Sequence, residues 1–182
     1  MDKKQKILEE SLELFRLSGF NAVGVDEIVT KSEVAKMTLY RYFKSKNNLI
    51  IEVLKSRGRW CFDQLESCIL SQETPIKKVA ALFKWHDNAV KDVCSSSDIF
   101  SAALLEFNSN NTEIFQAASN HKKRILECIN NILKEEFPAT EANNRAVAIF
   151  MLLEGASMLS LYSDHDESFF LAEKVALNML SQ

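Results

Sequence analysis

The sequence predicts an all-α protein of about nine helices, with a three-helix, helix-turn-helix unit at its N-terminus. Apolar residues recur at three- and four-residue spacing along most of the chain, the period of helices with one inward face. Gly and Pro are scarce, four and two among 182 residues. β-branched runs are short, and the composition is that of helices. Near the N-terminus, two short periodic stretches separated by a tight turn follow a longer one, the pattern of a helix-turn-helix.

The elements follow in order. Ile7, Leu8, Leu12 and Phe15 make the first stripe, and Gly19 is a C′ stop. Gly24 can open a second helix, where Asp26 and Glu27 suit the positive end of the dipole and Ile28 and Val29 face inward, ending near Lys31 or Ser32. A turn leads to a third helix from about Lys36 to Phe43. Ser45 caps a long fourth helix with the stripe Leu49, Val53, Trp60, Cys61, Gln64, Leu65, Cys68 and Ile69, interrupted by Gly58. Ser71 to Pro75 is a turn, with Pro75 at the first position of a fifth helix lined by Ile76, Val79, Phe83, His86 and Val90. A loop over Cys94–Asp98 precedes Phe100, Ala103, Leu104 and Phe107, and a second loop covers Asn108–Asn111. Ile114, Ala117, Ala118, His121, Ile125, Cys128 and Ile132 mark a long helix ending before Pro138. Thr140 is the expected cap of a helix carrying Val147, Phe150, Leu153, Glu154, Met158 and Leu161. Asp164 or Asp166 can cap the last helix, with Phe169, Ala172, Val175, Ala176 and Met179.

Composition bounds the function. With 47% hydrophobic residues the chain can bury a substantial core. No apolar run approaches the ~18 residues of a membrane span, and no signal-peptide pattern opens the sequence, so a cytoplasmic protein is expected. Cys61, Cys68, Cys94 and Cys128 have no metal-ligand spacing, and Cys61 and Cys68 read as small inward hydrophobes. The net charge of −3 is unevenly spread: residues 1–60 hold twelve Lys and Arg against eight Asp and Glu, and the rest hold ten against seventeen. A basic end on an acidic body directs a phosphate-seeking surface one way.

The stretch from Glu33 to Lys46 concentrates the chemistry. Lys46 opens the fourth helix, where a positive charge opposes the macrodipole. The conflict resolves if an external anion sits at that helix start, and a nucleic-acid phosphate is the natural one. On the short third helix, Lys36 and Arg41 can reach a guanine edge or a phosphate, and Met37 a thymine methyl. Thr38, Tyr40 and Tyr42 supply hydroxyl donors.

Residues 7–54 resemble the DNA-binding domain of TetR-type transcriptional regulators. The resemblance rests on Ile7-Leu8…Leu14-Phe15…Gly19-Phe20, Val25…Ile28-Val29, and Val34…Thr38-Leu39-Tyr40…Tyr42-Phe43…Ser45-Lys46…Leu49. It implies phosphate contacts from Thr38, Tyr40 and Tyr42, a DNA-binding domain at 1–46, and a regulatory and dimerisation domain at 47–182. It also implies a homodimer, paired through the last two helices, on a double-stranded DNA operator. The fourth helix is then the expected lever from the DNA head into the body. Glu33 stands where the family usually has Gly in the turn, Val23 and Gly24 replace a common Ser or Thr, and Ala35 and Met37 depart from the usual recognition-helix start.

In the body, His86, His121 and Glu154 each fall on an otherwise apolar stripe. With Trp60, Trp85 and Phe107 they are candidates to line an effector cavity. With no inward cluster of Arg or Lys expected, that effector is apolar, aromatic or amphipathic, and Glu154 favours a neutral or cationic group. No HxxxH or ExxH pair supports a metal, and no cofactor is expected. Gly155-Ala156-Ser157 can admit a neighbouring helix closely, and Phe150, Leu161 and Phe169 are candidate dimer contacts. The functional expectation is a ligand-responsive repressor. The alternatives are a regulator-like protein acting through protein contacts, motivated by Glu33, Val23 and Ala35, and an α-helical enzyme. The enzyme reading lacks an evident nucleophile–base pair or phosphate loop.

Overall fold

A computed structural model describes residues 2–91, 99–107, 112–160 and 167–181. Among the described residues there are nine α-helices and no strand. They are α1 (Lys3–Ser18), α2 (Val25–Ser32), α3 (Lys36–Phe43), α4 (Lys46–Leu70), α5 (Pro75–Lys91), α6 (Ile99–Glu106), α7 (Thr112–Leu133), α8 (Ala139–Leu159) and α9 (Ser168–Leu180). Cys94, the Cys94–Asp98 and Asn108–Asn111 loops, Leu161 and the caps at Asp164 or Asp166 lie outside the described residues.

The chain divides into two units. One holds α1–α3, α4 as far as Arg59, α6 and α7 as far as His121. Its core is Ile7, Phe15, Phe20, Ile28, Leu39, Phe43, Leu49, Leu54, Phe100, Ala103 and Ile114, all essentially sealed from solvent. Each large side chain so buried contributes roughly 1.5–3 kcal/mol. Leu39 and Phe43, one turn apart, fasten α3 to this core. Gly19 ends α1 at φ 80°, its N–H donating to Phe15 O. Ser45 caps α4, its Oγ accepting the Asn48 N–H at 3.1 Å. Gly58 also has a packing reason: a Cβ there would lie 3.3 Å from His121 Nδ1 and 3.7 Å from the Phe100 ring. The helix gives up about 1 kcal/mol of propensity at Gly58 so that α6 and α7 can approach.

Glu33 occupies the left-handed region at φ 54°, ψ 39°, in the turn between α2 and α3. A side chain in that conformation costs roughly 1–2 kcal/mol. Its carboxylate pairs with the Lys6 ammonium, which holds the Glu33 pKa below the usual carboxylate range. The pair is solvent-exposed and contributes little. Glu33→Gly should therefore raise stability by about 1 kcal/mol, or about 2–4 °C in Tm. Calorimetry checks this; a lower Tm would mean that the Lys6 pair outweighs the backbone strain.

The other unit holds α4 from Trp60, α5, the rest of α7, α8 and α9. Its core joins Leu65 and Ile69, Val79, Leu82 and Phe83, Ile125 and Ile129, Ala142, Ala146, Ile149 and Leu153, and Phe169 and Ala176. Several sequence expectations need correction here. Thr140 does not cap α8; Pro138 is the cap residue and Thr140 lies in the first turn. On α4, Gln64 and Cys68 are exposed, and Trp60 is 45% exposed. The buried face beyond Cys61 follows Phe62, Leu65 and Ile69 instead. On α5, Ile76 is exposed while Leu82 and Ala89 turn inward. On α8 the inward face is Ala142, Ala146, Ile149, Leu153 and Ala156, which leaves Val147, Met151, Met158 and Leu159 exposed. α9 buries Phe169, Ala172 and Ala176 and exposes Phe170, Leu171 and Val175. Phe169 thus packs in its own unit's core. The cause is common to α8 and α9: from Ala146 onward in α8, and along much of α9, apolar residues fall on most faces, so periodicity alone does not say which stripe faces home. Small alanines allow close packing within the chain, and the larger side chains are left outside.

Candidate nucleic-acid interface

α3 is an eight-residue helix with two sides. Leu39 and Phe43 are buried, while Lys36, Met37, Tyr40 and Arg41 are exposed. Met37, 85% exposed, is an apolar tip held in water. Tyr40 is 41% exposed. Thr38 and Tyr42 are half-buried, and the Arg41 guanidinium lies 5.2 Å from the Tyr42 ring centre. Tyr42 in turn packs on the core of its unit. The sequence-predicted residues of α3 therefore share one small helix, most of them on its open side. A short helix of this size, standing on a hydrophobic base with donors and one apolar tip outward, fits the major groove of B-DNA.

The charges are preset. Lys36 Nζ pairs with Asp26 Oδ1 of α2 at 2.6 Å, and this partner raises the Lys36 pKa. Lys31 pairs with Glu13 at 2.8 Å and lies 3.8 Å from Glu10, tying α2 to α1. Lys46, the first residue of α4, sets its Nζ 3.5 Å from the Asn21 carbonyl oxygen. Desolvation lowers its pKa, and the Glu106 charge opposes that. The α3 cap is weak: Ala35 offers no side-chain acceptor, and the first turn is closed by the backbone alone, with the Thr38 N–H donating to the Ala35 carbonyl at 2.8 Å. Nearby, Lys44 holds φ 60° and carries another exposed ammonium.

Sequence reasoning missed two partners. Asp26 competes for Lys36, and Glu106 of α6 accepts the Phe20 and Asn21 N–H groups at 3.0 and 2.8 Å. No local signal could reveal the latter, because the groups are 85 or more positions apart.

The candidate effector residues are distributed over both units. His121 stacks on Phe100 at 3.8 Å between ring centres, and Phe107 meets Phe20 edge-on at 5.6 Å. In the other unit, His86 is buried, with Trp85 edge-on at 4.9 Å. His86 Nδ1 donates to the Leu82 carbonyl at 2.8 Å, since that oxygen can only accept. Burial pushes the His86 pKa down to about 4, and Lys122 adds to that, so the ring is neutral. Both Glu154 oxygens accept from Lys122 Nζ at 2.7 Å. The Lys122 ammonium therefore already balances the Glu154 carboxylate. Trp60 is half-exposed on α4. Among the described residues, no three His, Cys, Asp or Glu gather in a way that could hold a metal ion. No described helix is long and apolar enough to cross a membrane.

Residues 7–53 match the family model described as bacterial regulatory proteins, tetR family. The uncharacterized HTH-type transcriptional regulator YxaF of Bacillus subtilis is 24% identical over 178 residues, 96% of this chain and 93% of that one. A TetR-family transcriptional regulator from Streptomyces coelicolor has the same fold at a TM-score of 0.90, with 20% identity over 99% of this chain and 96% of the other. The transcriptional regulator FadR from Bacillus subtilis, solved in complex with stearoyl-CoA, matches at a TM-score of 0.75 with 17% identity, covering 96% and 98% of the two chains. The match over residues 7–53 gives this chain a tetR-type helix-turn-helix DNA-binding domain, and along its full length the chain is similar in sequence and fold to TetR-family transcriptional regulators.

Proposed function

We propose that this regulator is a cytoplasmic homodimeric repressor, released from its operator by an apolar or amphipathic small molecule. Residues 1–46 form the DNA-binding part and 47–182 the regulatory and dimerisation part. The single observation that carries DNA binding is the outward face of α3, with Lys36, Met37, Tyr40 and Arg41 exposed and Lys46 close behind at the start of α4. In this reading α3 of each protomer enters a major groove and reads bases with Lys36, Met37 and Arg41. Thr38, Tyr40, Tyr42 and Lys46 hold phosphates.

Dimerisation is supported by the outer surface of α8 and α9. An open apolar groove of about 500 Å³ runs between them, lined by Met151, Gly155, Leu159, Leu171 and Val175 among others. The position a Gly155 side chain would take is open, so a second helix can approach there. Pairing these helices across a two-fold axis covers the exposed stripe and gives a four-helix interface.

The effector reading rests on the apolar inward faces around His86 and Trp85, and on a fold neighbour that was solved with stearoyl-CoA. Trp60, Trp85, His86 and Glu154, all of one unit, remain its proposed contacts, whereas Phe107 and His121 pack within the other. Such a ligand acts only through different affinities for the DNA-competent and incompetent states. α4, shared by both units, is the proposed route.

Genome-wide capture and footprinting of bound DNA tests the function. A two-fold-symmetric sequence with half-sites about one helical turn apart, protected by the protein, is the expected result. Recovery of DNA without any common sequence would favour instead the regulator that acts through protein contacts.

A further inference from the structure

The end of α6 grips the turn between α1 and α2 at three neighbouring residues. Glu106 Oε1 accepts the Phe20 N–H at 3.0 Å, and Oε2 accepts the Asn21 N–H at 2.8 Å. Phe107 packs edge-on against the Phe20 ring, which also lies 5.0 Å from Phe15. At Gly19 a Cβ would stand 2.8 Å from Glu106 Oε1, and its φ of +80° suits glycine. The turn is therefore shaped around a carboxylate that approaches where no side chain can be. Phe20 and Asn21 fall after α1 and before α2, so neither N–H has a helical acceptor of its own. A charged acceptor serving two backbone donors makes a strong anchor. The Asn21 carbonyl, on the far side of that anchored residue, is the group 3.5 Å from Lys46 Nζ.

We propose that Glu106 is a positioning residue for DNA binding: by fixing the Phe20 and Asn21 amides it fixes the carbonyl on which Lys46 rests, and so aims the Lys46 ammonium at a DNA phosphate. The inference depends on the DNA-binding reading above. Lys46 has a long flexible stem, and holding its ammonium in place beforehand reduces the entropy lost when it meets a phosphate. The turn supplies a rest for that stem, and α6 holds the turn. Glu106 touches no DNA in this account. It acts through Asn21, and its charge also favours the charged form of Lys46 directly.

The experiment uses full-length protein and the duplex fragments that wild-type protein captures from the genome, titrated over a range of salt. Glu106→Gln keeps the size but turns one acceptor into a donor that faces a backbone N–H. It should bind about ten-fold more weakly, a typical size for coupled sites, and its salt slope should fall by about 1, the share of one phosphate contact. The same change in a Lys46→Ala background should add almost nothing, because the charge it positions is gone. Amide exchange at Phe20 and Asn21 should quicken, and Glu106→Asp, which keeps the charge on a shorter stem, should recover part of the affinity. If Glu106→Gln does not fold, Glu106→Asp carries the same comparison with Lys46→Ala. Losses that simply add in the double variant would show a general structural role and overturn the proposal. Wild-type affinity and slope in Glu106→Gln would overturn it while leaving DNA binding intact. Absence of DNA binding by the wild type would remove both.

Discussion

Lys46→Ala should bind duplex DNA about ten-fold more weakly than the wild type, on every sequence tested, with a salt slope smaller by about 1. The argument begins with the oddity of a lysine at a helix start, where it opposes the helix dipole. Desolvation lowers its pKa, against the opposing Glu106 charge, so folding disfavours the charged form at this place. A phosphate at the α4 N-terminus would reverse both penalties, since it faces the free N–H groups and the ammonium together. Tyr40→Ala provides the contrast. It removes an exposed hydroxyl that in the proposed function donates to a phosphate oxygen, so affinity should fall several-fold, by about 1 kcal/mol. The salt slope should stay unchanged, because a neutral donor releases no counterion. Unchanged affinity in both variants, with circular dichroism showing intact folding, would remove α3 and the start of α4 from the DNA interface.

Val175→Glu and Leu171→Glu should each convert the proposed dimer to a monomer at micromolar concentration in sedimentation experiments. Both side chains are about half exposed in the single chain, at 49% and 53%, so the substitutions should leave each protomer folded. In the paired arrangement they would bury an unpartnered carboxylate, which costs several kcal/mol. Loss of the dimer removes the linkage between the two recognition helices. Operator affinity should then fall by roughly 10²–10⁴-fold, the gain that linked binding confers. A variant that remains dimeric would place the two-fold interface elsewhere.

The N-terminal helices were legible because their signals are local. Gly19, Gly24 and Ser45 mark ends through their own backbone or side-chain chemistry, and the structure puts helix boundaries beside each of them. The left-handed conformation of Glu33 is what the family resemblance implies, since Gly usually stands at that place in the turn, and the structure has it at φ 54°. α8 and α9 were legible as helices but not in orientation. A stripe of Ala142, Ala146 and Ile149 and a stripe of Val147, Met151 and Met158 are both apolar, and only tertiary packing separates them. The exposure of Cys68 and Gln64 has the same origin, an inward face on α4 that follows Phe62, Leu65 and Ile69.

The candidate site divides along the same line. Met37, Tyr40 and Arg41 are exposed because Leu39 and Phe43 anchor the opposite side of one short helix, which periodicity reveals. Asp26 beside Lys36, Lys122 beside Glu154 and Glu106 beside Asn21 are pairings between elements, and spacing along the chain carries no trace of them. They also change the chemistry. In the proposed function Lys36 would exchange a carboxylate for a DNA group, and Glu154 would meet a ligand with its charge already balanced.

The most direct test is an anisotropy titration of wild-type protein against a captured genomic fragment and its scrambled counterpart, repeated across salt concentrations. The account predicts a linear fall of log affinity with log salt on both duplexes. It also predicts tighter binding of the captured fragment by at least about 10³-fold. Equal affinity for the two fragments, or binding indifferent to salt, would contradict sequence-specific DNA recognition by α3 and the phosphate anchor at Lys46.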